Sequence, residues 1–390
     1  MAEPVNPVAP NCRIAMDGRM LVHGQPTGVG TYAQGLLHAH ERIAAQPLIL
    51  TDRPSLDDAA PLAGSRLMRW LRALWPLARR AVERTDGPQA LLVAPDIFRL
   101  AQIHFDIFGR LLRVTVPGPP GIIHWTYPVP LRIDGWANLY TIHDVIPLQQ
   151  PDLSPIDHRR HRRILDRITA SATGVVTVSD ASAADIAREL DYPRTQIHNC
   201  GQAVEIARSS AALPAGLFPG QYLLTLGSVE RRKNLDTLAQ AYRLTGSTMP
   251  LVVAGPQGWH APALDGPGIV RLPYLPEDQI RALLGHACAL LMPSLAEGFG
   301  LPVVEAMALG TPVMTSAGGA LEEVAGGGAL LVDPHNSAAM AQALRRLIDD
   351  DALRLRLAEA GRRNARLFTL DRFAAKLAVL YAEAAPPTRT

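Results

Sequence analysis

The chain contains no apolar run near the roughly 18 residues that a membrane span needs, so no spanning helix is expected. Its cysteines are few: Cys12, Cys200 and Cys288 are odd in number, scattered and without metal-ligand spacing. That excludes a disulfide framework or a cysteine metal site and fits a reducing cytoplasm. The opening MAEPVNPVAPNC lacks the apolar core of a signal peptide or anchor. No repeat of solenoid period is visible. The formal net charge is only +2, which leaves no overall basic footprint for nucleic acid. What is present is a chain of 390 residues, 48% apolar and 19% charged. That is too apolar for disorder and long enough for two α/β domains.

Short apolar runs bounded by turn residues read as buried strands. In the first half they are Arg13 to Met16 (ending at Asp17), Pro47 to Leu50, Leu91 to Val93, Ile122 to Trp125, Leu139 to Ile142 and Val175 to Val178. In the second half they are Tyr222 to Leu226, Leu251 to Ala254, Ile269 to Leu272, Ala289 to Met292, Thr311 to Met314 and Ala329 to Val332. Helical patterns lie between most of them, one starting near Thr31, so both halves read as βαβ units with parallel sheets. The fold class is α/β, with two Rossmann-like domains facing a central cleft at the carboxyl ends of their strands. Residues 1–206 form the first domain, 207–220 (rich in Ser, Ala, Pro and Gly) the linker, and 221–369 the second. Residues 370–390 form a helix crossing back to the first domain, then a tail.

The most informative segment is EGFGLPVVE, Glu297 to Glu305. It joins the apolar run at 289–292 to a helix running Val303 to Leu309, with Pro302 at its opening. Gly298 and Gly300 let backbone amides approach a ligand closely, and the helix start turns its free N–H groups to the same spot, which suits a phosphate. Carboxylates beside a phosphate would repel it, so Glu297 and Glu305 are expected to accept hydrogen bonds from hydroxyls. A phosphate between two sets of hydroxyls describes a sugar nucleotide. At another strand end of the same half, LTLGSVERRKN places Arg232 and Lys233 where a diphosphate could be held, Arg as a fork and Lys as a point charge.

With these motifs the chain resembles retaining glycosyltransferases of the two-domain B-type (GT-B) fold, in family 4, the glycosyl transferases group 1. That family contains bacterial polysaccharide mannosyl- and glucosyltransferases. The resemblance rests on Glu297 and Glu305 (Glu-x7-Glu), Arg232-Lys233-Asn234, Gly318-Gly319, Glu322-Glu323 and Leu330 to Pro334 (LLVDP). The first-half segments TGVGTYAQGLL, IHDVIPL and VVTVSDASAADI also look familial. The resemblance implies that Glu297 contacts the transferred hexose, Glu305 the ribose, and Arg232 and Lys233 the diphosphate, with no metal and no cofactor required. It also implies that amides of Phe299, Gly300 and Leu301 complete the phosphate and sugar contacts. His143 would stand near the anomeric centre, and Gly28 and Gly30 would bring amides to the cleft floor. The donor implied is GDP-mannose, with a UDP-hexose such as UDP-glucose as the alternative. The acceptor implied is lipid-linked or polysaccharide, at the inner face of the membrane. Pro273-Tyr274 departs from the usual Gly-apolar pair where the family meets the base, which leaves the base open.

Two other readings compete. Gly28 to Ala33 fits the G-x-G-x-x-A dinucleotide fingerprint, with Asp52 about twenty residues on, and would make the chain a nicotinamide oxidoreductase. Against it, some ten residues separate the first strand from Gly28. A non-catalytic sugar-nucleotide-binding protein is the third reading, disfavoured because no polar site residue is missing. Finally, residues 66–84 (RLMRWLRALWPLARRAVER) show an apolar stripe among arginines. This is expected to be a helix, either on an anionic membrane surface or packed on the first sheet. His158 and His161 fall on a basic helix, HRRHRRILDR, expected to be solvated.

Overall fold

The structure is a computed structural model that describes residues 12–21, 28–52, 79–85, 89–259, 264 and 266–386. The first half contributes β1 (Arg13–Asp17), β2 (Leu48–Thr51), β3 (Arg79–Arg80), β4 (Val82–Arg84), β5 (Leu91–Val93) and β6 (Leu112–Thr115). It continues with β7 (Gly121–Trp125), β8 (Leu131–Ile133), β9 (Ala137–Thr141), β10 (Gly174–Thr177) and β11 (Ile197–Asn199). Eight of these make one sheet in the order β11-β10-β9-β7-β1-β2-β5-β4, parallel except for the antiparallel edge pair β4–β5. β3, β6 and β8 form a small separate sheet. The second half contributes β12 (Leu223–Leu226), β13 (Leu251–Ala254), β14 (Ile269–Leu272), β15 (Ala289–Met292), β16 (Val313–Ser316) and β17 (Leu330–Val332). They form a fully parallel sheet in the order β14-β13-β12-β15-β16-β17. Every residue of β12, β13, β15 and β16 is buried. Such strands have helices on both faces, which is why they read as unbroken apolar runs instead of alternating ones.

Each sheet reverses its winding beside its first strand. In the second, the chain passes from β12 outward to β13 and β14, then returns to β15 on the other side of β12. The crevice at the carboxyl ends of β12 and β15 is therefore the switch point, where ligands of open α/β sheets sit. In the first sheet the corresponding reversal lies between β1 and β7.

Residues 201–222 carry no helix or strand. The helix Leu370–Ala384 packs against the first half's helix Gly28–Arg42, burying Phe373, Leu377 and Tyr381 in the same cluster as Ile14, Leu36 and Ile122. The Tyr381 hydroxyl lies 2.7 Å from His124 Nδ1 and 3.0 Å from His40 Nε2, so the contact is polar as well as apolar. Burial holds both imidazoles neutral, at about 3 for His124 and about 4 for His40. No described helix is long and apolar enough to cross a membrane.

Three expectations are corrected. Residues 79–84 are not helical: they form β3 and β4, because the open edge of β5 is completed by pairing with Val82–Arg84. Arg13 pins that edge through Glu83, at 2.5 Å. Residues 66–78 lie outside the described residues. The first long helix begins at Gly28, not near Thr31, and the strand expected from Thr311 is shifted to Val313–Ser316, past Pro312, which has no N–H to give the ladder.

Candidate active site

The loop after β12 tightens into a single turn, Arg231–Lys233, that stops at Asn234 in the left-handed conformation (φ 58°). The Asn234 side chain donates to the carbonyls of Pro293 (3.0 Å) and Pro334 (2.7 Å), tying this loop to the ends of β15 and β17. A backbone bond from Leu295 N–H to the Arg232 carbonyl (2.8 Å) adds to it. The family-like Asn234 and LLVDP ending thus act together, as a brace that aims Arg232 and Lys233.

What they are aimed at is Glu297, whose side chain is only 9% exposed. Lys233 Nζ meets Glu297 Oε1 at 2.6 Å, and Arg232 Nη1 bonds Oε2. Arg232 also donates to Glu230 Oε1 (2.7 Å) and to the Ala296 carbonyl (3.2 Å). Burial alone would raise the Glu297 pKa, but the two cations overcome it and bring it down to about 2. Sequence reasoning singled out Glu297, Arg232 and Lys233 at separate strand ends; the structure brings them into one ion cluster at the switch point. It missed Glu230, whose only signal is its place two residues before Arg232.

Gly300 caps the next helix, Leu301–Leu309, in a left-handed conformation (φ 100°) that a side chain would oppose. The helix starts at Leu301, one residue ahead of the expected opening at Pro302, which stands in its first turn. Among the described residues no acceptor meets the amides of Phe299, Gly300 and Leu301, so they are available to an anion. The Phe299 ring is buried against Phe368 (centroids 5.5 Å apart) and serves packing. Glu305 lies one turn into the helix. Among the described residues it has no hydrogen-bond or salt-bridge partner, and burial, reinforced by Glu277, raises its pKa to about 7. A carboxyl so placed gains by meeting a hydroxyl donor.

His143 follows β9 in the first half. Its Nε2 lies 2.9 Å from the Thr126 carbonyl, which can only accept, so Nε2 carries the hydrogen. Burial lowers its pKa to about 4, so the ring is neutral at pH 7 and its Nδ1 is an acceptor. Thr126 is held in turn by buried Asp17, which accepts its N–H (2.5 Å) and its hydroxyl (3.1 Å). The next residue, Asp144, caps Ile146 N–H (3.0 Å) and lies close enough to Arg232 to feel its charge. Tyr32, on the helix that Gly28 opens, sets its ring edge-on to His143, with centroids 4.8 Å apart. Gly28 and Gly30 stand in the first turn of the same helix, and residues 22–27 before them lie outside the described residues.

The dinucleotide fingerprint fails on geometry. Gly28 and Gly30 both lie inside the helix Gly28–Arg42, whereas the fingerprint needs its first glycine in a tight turn between strand and helix.

Residues 219–364 match the family described as glycosyl transferases group 1. O-antigen chain mannosyltransferase B of Escherichia coli is 34% identical over 235 residues, covering 55% of this chain and 62% of that protein. MMP alpha-(1->4)-mannosyltransferase of Mycolicibacterium hassiacum is 32% identical over 239 residues, 56% of each chain. The chain thus spans less than two thirds of the length of these two curated relatives. Sucrose-phosphate synthase from Thermosynechococcus elongatus shares the fold, with a TM-score of 0.69 at 20% identity over 95% of this chain and 98% of that one. The second domain therefore belongs to glycosyl transferases group 1, and the chain has the two-domain B-type glycosyltransferase fold.

Proposed function

We propose that this protein is a retaining hexosyltransferase moving a sugar from a nucleoside-diphosphate donor onto a lipid-linked or polysaccharide acceptor. The observation that carries the reading is Glu297, held as a carboxylate between Arg232 and Lys233 at the switch point of the second sheet. A donor diphosphate competes for those cations. Lys233 spends one of its three N–H donors on Glu297, so it can turn to a phosphate oxygen without leaving the site. The start of the helix Leu301–Leu309 faces the same anion. Released from one cation, Glu297 accepts from hexose hydroxyls, while Glu305 accepts from the ribose. His143 Nδ1 accepts from a further sugar hydroxyl on the first-domain side.

In this scheme the acceptor, on the first domain, attacks from the face the diphosphate leaves, and a phosphate oxygen takes its proton. The cations stabilise the leaving group, so no metal is called on. GDP-mannose is the donor we favour. The IHDVIPL segment and the mannosyltransferase names of the two curated relatives support it, with UDP-glucose as the alternative. Attachment to an anionic membrane face would suit the exposed Arg159, Arg162, Arg163 and Arg167 on the helix His158–Thr169.

Calorimetric titration with GDP, UDP and NADH, without metal, tests the reading. Binding of GDP or UDP alone supports it and selects the base. Preference for NADH overturns it.

A further inference from the structure

The Glu297 loop is held from both sides by the first domain. On one side Gly298 lies so close to His143 that a Cβ there would come within 2.6 Å of the His143 carbonyl oxygen and 3.1 Å of Asp144 Cβ. On the other side the Gly298 carbonyl accepts two hydroxyls, Ser179 Oγ at 2.9 Å and Ser182 Oγ at 3.1 Å. Both serines are buried, and Ser179 Oγ also accepts Ser182 N–H (3.0 Å), which caps the helix Asp180–Leu190. At the same helix start the second domain returns the contact. Glu323 places its two carboxylate oxygens on the amides of Asp180 and Ala181, each at 2.7 Å.

We propose that Ser179, Ser182 and Glu323 are positioning residues that clamp the Gly298–Phe299 peptide and seat the Glu297 loop against His143 only when the two domains close. Arg232 and Lys233 hold the Glu297 carboxylate from within the second domain, but the backbone next to it is seated by the first. Its neighbour Gly298 is seated between the ends of β9 and β10, and the seat belongs to the other domain. When the cleft opens, the Gly298 carbonyl and the Asp180 and Ala181 amides return to water together, so the clamp has two states and little between them. A carboxylate at a helix start is stabilised by the free N–H groups and the dipole there, which makes Glu323 the stronger arm. Closure thereby links acceptor binding on the first domain to the orientation of the residue expected to hold the transferred sugar.

The activity half of this inference rests on the transferase reading; the closure half does not. The full chain is compared with Ser182→Ala/Glu323→Gln by small-angle X-ray scattering, by nucleotide calorimetry and in steady-state transfer. The clamp predicts a larger radius of gyration for the variant and unchanged affinity for the nucleoside diphosphate. It also predicts a fall in kcat on the order of 100-fold at unchanged donor KM, as expected when a catalytic geometry is displaced by about an ångström. Superimposable scattering curves, or an unchanged kcat, overturn it. Should the double variant unfold, Glu323→Gln alone removes the charged arm and leaves both serine bonds, and superimposable scattering with a wild-type kcat there overturns the clamp. If the wild type binds no nucleotide, the transferase reading falls, and the scattering comparison still decides the clamp.

Discussion

Glu305 offers a sharp test of the site's electrostatics. It sits on the first turns of the helix Leu301–Leu309, and burial with Glu277 nearby raises its pKa from the ordinary 4.5 to about 7. A carboxyl whose folded pKa is raised holds its proton more tightly folded than unfolded. Its contribution to stability is therefore fully present below pH 4.5 and is lost as pH rises through 7. The gap between 4.5 and about 7, at about 1.4 kcal/mol per pH unit, amounts to about 3 kcal/mol once Glu305 is fully charged. Glu305→Gln removes the charge without breaking any partner contact among the described residues. Urea unfolding of both proteins at pH 5 and pH 8.5 isolates the effect. The variant should be more stable than wild type by up to about 3 kcal/mol at pH 8.5 and nearly equal to it at pH 5. A difference that is the same at both pH values, or a wild type that is the more stable at pH 8.5, refutes the reasoning. The same shift predicts that a ligand offering hydroxyls to Glu305 binds more tightly as pH rises towards 7, and that the variant loses this dependence.

Lys233→Ala removes a charged donor from the proposed diphosphate site and should weaken GDP or UDP binding by roughly 10- to 100-fold, read by calorimetry; unchanged affinity would count against its role. Gly298→Ala forces a Cβ against the His143 carbonyl at 2.6 Å, so transfer should fall sharply while thermal unfolding and nucleotide affinity change little. Wild-type turnover would show that this close approach is not needed. Tyr381→Phe leaves His124 Nδ1 and His40 Nε2 without their shared hydroxyl in the core. A loss of about 2–4 kcal/mol in denaturant unfolding is expected, and a loss under about 0.5 kcal/mol would mean that the contact is only geometric.

Much of the architecture was legible because the central strands are buried on both faces. Leu251–Ala254 and Ala289–Met292 stand where their apolar runs put them, and the less buried edge strand Ile269–Leu272 also has its expected bounds. β4 was misread because its Val-Glu-Arg pattern becomes a strand only through pairing with β5, a partner the local sequence does not announce. β3 was misread with it, as part of the same expected helix, while β6, β8 and β11 were missed: they are short, and none stands out as an unbroken apolar run. At the site, the Glu297–Glu305 turn and the Arg232–Lys233 loop could each be read from their own segment, since glycines, a proline and charges at strand ends are local signals.

Where those segments meet is a matter of sheet order, and order is fixed by which strands pack together, not by any stretch of ten residues. Only the placing of β15 beside β12 turns Glu297, Arg232 and Lys233 into one cluster with the carboxylate held near a pKa of 2. The same holds for the hydrogen on His143 Nε2, assigned by a carbonyl 17 residues away in sequence, and for Glu323, whose helix partner lies 142 and 143 residues earlier. The sequence by itself determined the strands, the turn chemistry and the residues able to act. Tertiary structure alone decided their charges, their hydrogen-bond roles and the clamp between domains, because each depends on burial and on partners that only packing supplies.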